Sequence, residues 1–121
     1  MSRVLLGIAF VSLLGCAPSD ALLTSLREDL NRVRSTPDGQ SIGVRGERDL
    51  RPLLGVPLAT VRAKLGRPDC DSADGKSCFA ETDLLYYFYK NPPYSVGGGP
   101  MLLIWSDGTG RCQKFQWGLL K

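Results

Sequence analysis

The chain has 121 residues and a formal net charge of +3, from 15 basic and 12 acidic side chains, and it contains no histidine. That length suits one small domain and is too short for two independent hydrophobic cores. The near balance of charge argues against a nucleic-acid binder, which needs an excess of basic residues at phosphates. The hydrophobic fraction of 43% is ordinary for a globular fold. We therefore expect one globular domain without a nucleic-acid partner.

Residues 1–15 have the pattern of an export signal. Arg3 supplies a positive charge, and the apolar run Val4–Leu14 is shorter than the about 20 residues that a bilayer-spanning helix needs. The run ends in Leu13-Leu14-Gly15-Cys16, which resembles the bacterial lipobox. In a lipobox the signal is cut before the cysteine, whose thiol carries diacylglycerol and palmitate-type chains. The resemblance implies a lipid anchor at Cys16; an ordinary cleaved signal with an incidental cysteine is the alternative.

The residue after the lipobox cysteine bears on location. In enterobacterial lipoproteins an aspartate there retains the protein in the inner membrane, whereas this chain has Ala17. The resemblance therefore implies a lipid-anchored protein of the outer membrane that faces the periplasm.

Residues 16–48 are predicted to form a lipidated tether, an amphipathic helix over 21–35 and a loop. The apolar residues of the helix recur at helical spacing, namely Leu22, Leu23, Leu26, Leu30 and Val33. The turn-forming string Thr36-Pro37-Asp38-Gly39 ends the helix. Two interpretations are open: a mobile stalk near the membrane, or a helix docked on the domain or on a partner.

Residues 49–121 are predicted to form an α+β domain, with two short helices packed on a three-stranded antiparallel meander. The first helix is a single turn around residues 50–54. The second begins at Pro57 and ends at Gly66, where a left-handed conformation is expected before Pro68 blocks continuation. The strands are predicted at residues 83–90, 101–106 and 112–119.

The aromatic residues beyond the signal all lie between Phe79 and Trp117. We expect this concentration to place the core under the sheet, since aromatic side chains bury large areas. Strand 112–119 alternates in polarity, which predicts two faces: Gln113, Phe115 and Trp117 on one, and Cys112, Lys114 and Gln116 on the other.

One string within this domain resembles the SmpA/OmlA (BamE-like) outer-membrane lipoproteins. Their pattern is a glycine, a valine six residues later and then Leu-Gly-x-Pro, matched here by Gly55, Val61, Leu65, Gly66 and Pro68. The resemblance covers about residues 49–119 and the lipobox. It implies the meander fold and a non-enzymatic binding or scaffolding role in the envelope, as in outer-membrane assembly or integrity.

The chain departs from that family in two places. Val56-Pro57 stands where the family commonly has a Ser or Thr cap, and residues 69–82 form a cysteine-bearing insertion. A small periplasmic inhibitor or ligand-binding module on the same fold is therefore the alternative function.

Three cysteines remain if Cys16 is acylated. In an oxidising periplasm we expect one disulfide and one free thiol. A Cys70–Cys78 bridge closing a short loop is favoured, and a bridge from the loop to Cys112 is the alternative. Zinc is not expected, because three thiols without histidine or Cys-x-x-Cys spacing lack the usual ligand pattern.

The other candidate sites favour structural interpretations. An EF-hand alignment on Gly75 places Glu81 at position twelve but Cys70 at position one, so a solvated acidic loop, able to face a basic partner, is favoured over calcium. The glycine-rich segment 94–100 lacks the Gly-Lys-Ser/Thr of a phosphate loop. With no histidine and no nucleophile elbow, we expect no enzyme activity, cofactor, metal or small-molecule substrate. The expected partner is another envelope protein.

Overall fold

The computed structural model describes residues 18–44, 48–92 and 98–119. The predicted signal and Cys16 lie outside the described residues, as does most of the glycine-rich segment. Among the residues that are described, no helix is both long enough and apolar enough to cross a bilayer.

The described chain is an α+β protein with two α-helices and antiparallel sheets, as predicted for the class. The helices are α1 (Pro18–Arg34) and α2 (Leu58–Leu65). The strands are β1 (Ile42–Gly43), β2 (Cys70–Asp71), β3 (Leu84–Tyr87), β4 (Tyr89–Lys90), β5 (Pro100–Ser106) and β6 (Cys112–Leu119). Short 3-10 turns lie at Arg51–Leu53, Ser72–Asp74 and Phe79–Glu81. The helix predicted around residues 50–54 is therefore a single 3-10 turn.

The prediction of a three-stranded meander is wrong. The main sheet has four strands in the order β2-β3-β5-β6, and β1 pairs with β4 in a second, two-stranded sheet. The predicted strand 83–90 divides at Phe88, whose N–H donates to the Pro100 carbonyl (2.9 Å) while its own carbonyl accepts from the Val44 N–H (3.0 Å). Phe88 thus passes the chain from the main sheet to the small one.

Helix α1 is docked on the domain, so the mobile-stalk interpretation is wrong. Its five apolar residues predicted from spacing are all buried, and Leu23, Leu26 and Leu30 are fully so. They join one core with Leu58, Val61 and Leu65 of α2 and with buried side chains of the sheet. Both helices therefore cover the same side of the main sheet.

The core lies under the sheet as expected and Phe115 and Trp117 pack against it, but it is built mainly from leucine and several aromatic residues lie elsewhere. Tyr86 and Phe88 are fully buried in this core, but Phe79 is 55% exposed. Tyr87 and Trp105 pack instead on a separate small cluster of Leu85, Met101 and Leu103. The fourfold aromatic string Tyr86–Tyr89 carries no alternation of polarity, which is why its two faces could not be separated.

The predicted faces of the last strand are wrong at its start. The register pairs Trp105 with Lys114 and Ser106 with Cys112, which leaves Gln113 as an extra, bulged residue. The bulge turns Cys112 into the main core, where it is 2% exposed, on the side of Phe115 and Trp117. Burial raises the pKa of the Cys112 thiol to about 11.

Helix α2 ends at Leu65 and Gly66 is its C-cap residue, so the predicted end is confirmed to within one residue, but Gly66 is not in the left-handed helical conformation. Its φ of 85° and ψ of −163° lie in a region that is essentially restricted to glycine. The Gly66 carbonyl accepts a hydrogen bond from the Tyr86 hydroxyl (2.8 Å), which ties this turn to β3. At the other end of α2, Pro57 is the N-cap residue and not the first helical one.

We expect Gly66→Val to destabilise the domain by more than about 1 kcal/mol, because a β-branched residue is strained at this φ. A built Cβ meets nothing closer than 3.8 Å, so the cost comes from the backbone and not from a clash. Thermal unfolding measures it. Gly108→Val is the matched control, since Gly108 is exposed and its φ is not in the left-handed region. Equal unfolding midpoints for the two variants would contradict the prediction that a side chain at Gly66 strains the backbone.

Candidate functional site

The cysteine-bearing segment forms a compact loop at the edge of the main sheet. Cys70 and Cys78 form a disulfide with a Cα–Cα distance of 5.8 Å, while Cys112 is free and buried. This is the pairing favoured from the sequence. We call residues 70–82 the disulfide loop. Its first two residues pair with β3 as strand β2, so the loop starts from the sheet itself.

An ion pair anchors the start of the disulfide loop to helix α2. Arg62 donates from Nε to Asp71 Oδ2 (2.7 Å) and from Nη2 to Asp71 Oδ1 (3.0 Å). The same carboxylate accepts the Ala73 N–H (3.0 Å), and Asp71 as a whole residue is 9% exposed. The hydrogen bonds from Arg62 hold the pKa of Asp71 below its ordinary value. Asp71 is therefore an internal anchor and not a surface charge.

A second carboxylate, Asp83, joins the end of the loop to the end of β5. Burial alone would raise the pKa of Asp83, but hydrogen bonds outweigh it and the pKa is lowered. Asp83 accepts from the Ser106 N–H (2.7 Å), the Ser106 hydroxyl (2.9 Å) and the Ser72 hydroxyl (2.9 Å). Both ends of the disulfide loop are thus held on the sheet.

The lowered pKa values of Asp71 and Asp83 predict the direction of the pH dependence of stability. Their stabilisation is fully present above the unfolded-state pKa of about 4 and is lost as the pH falls through the folded-state values. We expect the free energy of unfolding, measured with urea, to decrease from pH 6 to pH 2. The decrease should be smaller in the Asp71→Asn, Asp83→Asn double variant. Asp74→Asn, an exposed residue of the same loop, should keep the full decrease; a double variant that also keeps it would contradict the prediction.

The far side of the disulfide loop contains two consecutive non-glycine residues with positive φ. They are Ala80 (φ 56°) and Glu81 (φ 57°), a conformation that costs of order 1 kcal/mol or more for each residue. The turn is held by hydrogen bonds from the Glu81 N–H to the Cys78 carbonyl (2.9 Å) and from Trp105 Nε1 to the Ala80 carbonyl (3.1 Å). Strain of this kind often marks binding sites.

The strained turn presents Phe79 to solvent with 55% of its surface exposed. The preceding residue, Cys78, is fixed by the disulfide, and the following Thr82 is buried and donates from its N–H and its hydroxyl to the Phe79 carbonyl. Sequence reasoning missed this residue because it counted Phe79 with the core. The only signal was its place beside a bridged cysteine.

The acidic residues of the loop do not form the surface expected from the sequence. Asp69 accepts hydrogen bonds from the Tyr87 N–H (2.7 Å) and Arg34 (3.4 Å), and Asp71 is buried against Arg62. Asp74 and Glu81 are exposed. Among residues 18–44, 48–92 and 98–119, no group of three or more potential ligands could hold a metal ion.

The residues of the predicted family motif have structural roles. Val61 and Leu65 are buried core residues of α2, and Gly55 and Gly66 have positive φ at chain turns. In the glycine-rich segment, Gly99 allows a close approach, since a Cβ there would lie 2.5 Å from Tyr89 Cβ. These residues position the sheet and its loops; none of them lies in the disulfide loop.

A comparison of the chain with known protein families, curated proteins and solved structures finds no match in any of the three. The fold and the site describe a small α+β protein whose disulfide loop exposes the aromatic side chain of Phe79.

We expect the Cys70→Ser, Cys78→Ser double variant to keep the helices and sheet folded and to lose about 2–3 kcal/mol of stability, the entropic effect of a short closed loop. Circular dichroism and urea unfolding measure the two quantities. Non-reducing peptide mapping of the parent chain should give a Cys70–Cys78 peptide and an unmodified Cys112. A mapped bridge to Cys112 would contradict the structure.

Proposed function

We propose that this chain is a non-enzymatic lipoprotein of the bacterial envelope, anchored at Cys16, whose disulfide loop binds another envelope protein. The observation that carries the proposal is the exposed Phe79 on a backbone fixed by a disulfide and by hydrogen bonds. Outer-membrane assembly or integrity is the role that the SmpA/OmlA resemblance implies.

A preorganised aromatic residue suits protein binding. Binding usually requires loops and side chains to lose conformational freedom, and a loop that is already ordered avoids part of that cost. Aromatic side chains are also enriched among the residues that contribute most to binding energy. Exposed charged residues of both signs, Asp74, Lys76 and Glu81, lie near Phe79 in the chain, so a partner with an apolar pocket surrounded by polar or charged residues fits this surface.

The position of α1 supports a scaffolding role for the anchor. The helix begins at Pro18, two residues after Cys16, and its apolar face is buried in the domain. An acyl anchor at Cys16 would therefore hold the folded domain next to the membrane without a long flexible tether. A binding loop held in this way meets partners within the envelope at high effective concentration.

Site-specific photo-crosslinking in intact cells tests the proposal. A photoreactive amino acid at position 79 should give an adduct with one defined envelope protein, identified by mass spectrometry. The matched control is position 54, since Leu54 is 52% exposed and lies outside the disulfide loop. The adduct at 79 should weaken in the Cys70→Ser, Cys78→Ser background. A soluble periplasmic enzyme as the adduct would favour the inhibitor function, and no adduct specific to 79 would overturn the proposal.

A further inference from the structure

Strand β6 is an edge of the main sheet, and the described residues pair with its outer side only at its start. The Gly55 N–H donates to the Cys112 carbonyl (2.8 Å), and the Cys112 N–H donates to the Val56 carbonyl (2.8 Å). Pro57 forms an isolated bridge with Arg111. A short extended segment of the chain thus already pairs with this edge and then turns away into α2.

The register shows which backbone groups of β6 point outward. The Phe88 N–H bonds the Pro100 carbonyl within the β3–β5 register, so residues 100, 102 and 104 direct their backbone groups toward β3. Residues 101, 103 and 105 then face β6 and bond Gly118, Gln116 and Lys114. The N–H and C=O groups of Phe115, Trp117 and Leu119 therefore point away from the sheet. Within the described part of the chain, no backbone hydrogen bond reaches them.

A cleft of about 440 Å³ lies beside this open edge. It is lined by Arg48, Asp49 and the buried Leu50 and by Phe115, Gln116 and Trp117 of β6. The Asp49 carboxylate in this lining is paired with Arg51 (2.8 Å). Phe115 and Trp117 are partly buried members of the core surface. The cleft can therefore take apolar side chains that project from a strand added to the edge.

The charged side chains of strand β6 and of Arg111, the residue before it, are of one sign, and the Asp49 carboxylate in the cleft is already paired with Arg51. Residues 111–119 carry Arg111 and Lys114 and no acidic side chain, and both basic residues are exposed. A second copy of the chain would bring the same basic edge against itself, and a lysine on an edge strand disfavours pairing between like edges. An acidic segment of a partner protein would instead meet the opposite charge along this edge.

We propose that the open edge of β6, residues 114–119, binds an extended acidic segment of a partner protein by strand addition, with alternate apolar side chains of that segment in the cleft. The open edge is about 20 Å long, enough for a six-residue strand. This surface is distinct from the disulfide loop, so the inference goes beyond the proposed function and stands without it.

Amide hydrogen exchange, read by NMR on the full chain in detergent micelles, tests the proposal. The probe is the capped peptide Glu-Val-Glu-Phe-Glu-Val-Glu. In the free protein, the amides of Phe115 and Trp117 should exchange quickly, while those of Lys114 and Gln116, which face β5, serve as protected internal controls. Saturating peptide should slow exchange at Phe115 and Trp117 at least about tenfold and leave the controls unchanged.

Two matched peptides distinguish backbone pairing from non-specific binding. A peptide with lysine in place of glutamate should bind about tenfold more weakly at low salt, the effect of a few surface charge pairs. The acidic peptide with N-methyl groups on alternate amides should not protect Phe115 or Trp117. Equal binding of the methylated peptide, or no change of exchange at these two amides, would overturn the proposal. The proposal would also be overturned if protection of these amides rose with protein concentration in the absence of peptide and light scattering showed a dimer. That result would assign the edge to a second copy of the chain.

Discussion

The Cys16→Ala variant is expected to leave the membrane fraction or to remain as an uncleaved precursor. The lipobox chemistry requires a thiol at this position, and without it no acyl chains are attached. Each buried methylene of an acyl chain contributes about 0.8 kcal/mol to membrane binding, so loss of several chains removes the anchor. Fractionation of envelopes, followed by mass analysis of the processed amino terminus, measures both outcomes. We expect nearly all of the mature parent protein in the outer-membrane fraction.

A matched control for this experiment is Ser12→Ala. It changes the apolar part of the predicted signal but leaves Leu13-Leu14-Gly15-Cys16 intact, so processing and location should stay as in the parent chain. A Cys16→Ala protein that is cut at the same place and still sediments with the outer membrane would contradict the lipobox assignment. The chain would then have an ordinary signal, and the envelope proposal would need another anchor.

The features predicted correctly depend on local chemistry. The leucines of α1 repeat at helical spacing, so both the helix and its buried face follow from neighbours three and four residues apart. The end of α2 follows from Gly66 and Pro68, which act on the backbone at their own positions. The Cys70–Cys78 pairing follows from the short separation of the two cysteines in the chain, which lets them close a small loop.

The features that were missed depend on contacts between distant residues. Cys70 and Asp71 became a strand because they pair with Leu85 and Leu84, a contact that their own sequence does not show. The break at Phe88 arises because its carbonyl meets Val44, more than forty residues earlier. The exposure of Phe79 follows from the loop backbone, which an apolar side chain alone does not predict. The sequence thus identifies the candidate segment, but not the exposure of Phe79 within it.

The largest loss of stability is expected from Leu26→Ala in the middle of α1. Leu26 is fully buried, and truncation of a buried leucine to alanine costs about 2–5 kcal/mol because it removes apolar contacts and leaves a cavity. Domains of this size are stable by only about 5–15 kcal/mol, so the change is a large fraction of the total. Urea unfolding at neutral pH measures it, with Arg27→Ala as the control: Arg27 is the next residue on the same helix and is exposed.

The comparison of Leu26→Ala with Arg27→Ala also shows whether helix α1, which follows Cys16, unfolds together with the rest of the domain. If α1 unfolds with the sheet, Leu26→Ala shifts a single cooperative transition, whereas Arg27→Ala leaves the midpoint nearly unchanged because surface substitutions are usually within about 0.5 kcal/mol. Hydrogen exchange in α1 should then report the same free energy as exchange in β5. A Leu26→Ala variant with an unchanged midpoint would show that α1 is outside the cooperative unit. The anchor would then reach the disulfide loop through a flexible stalk, and the close apposition of the domain to the membrane would be lost.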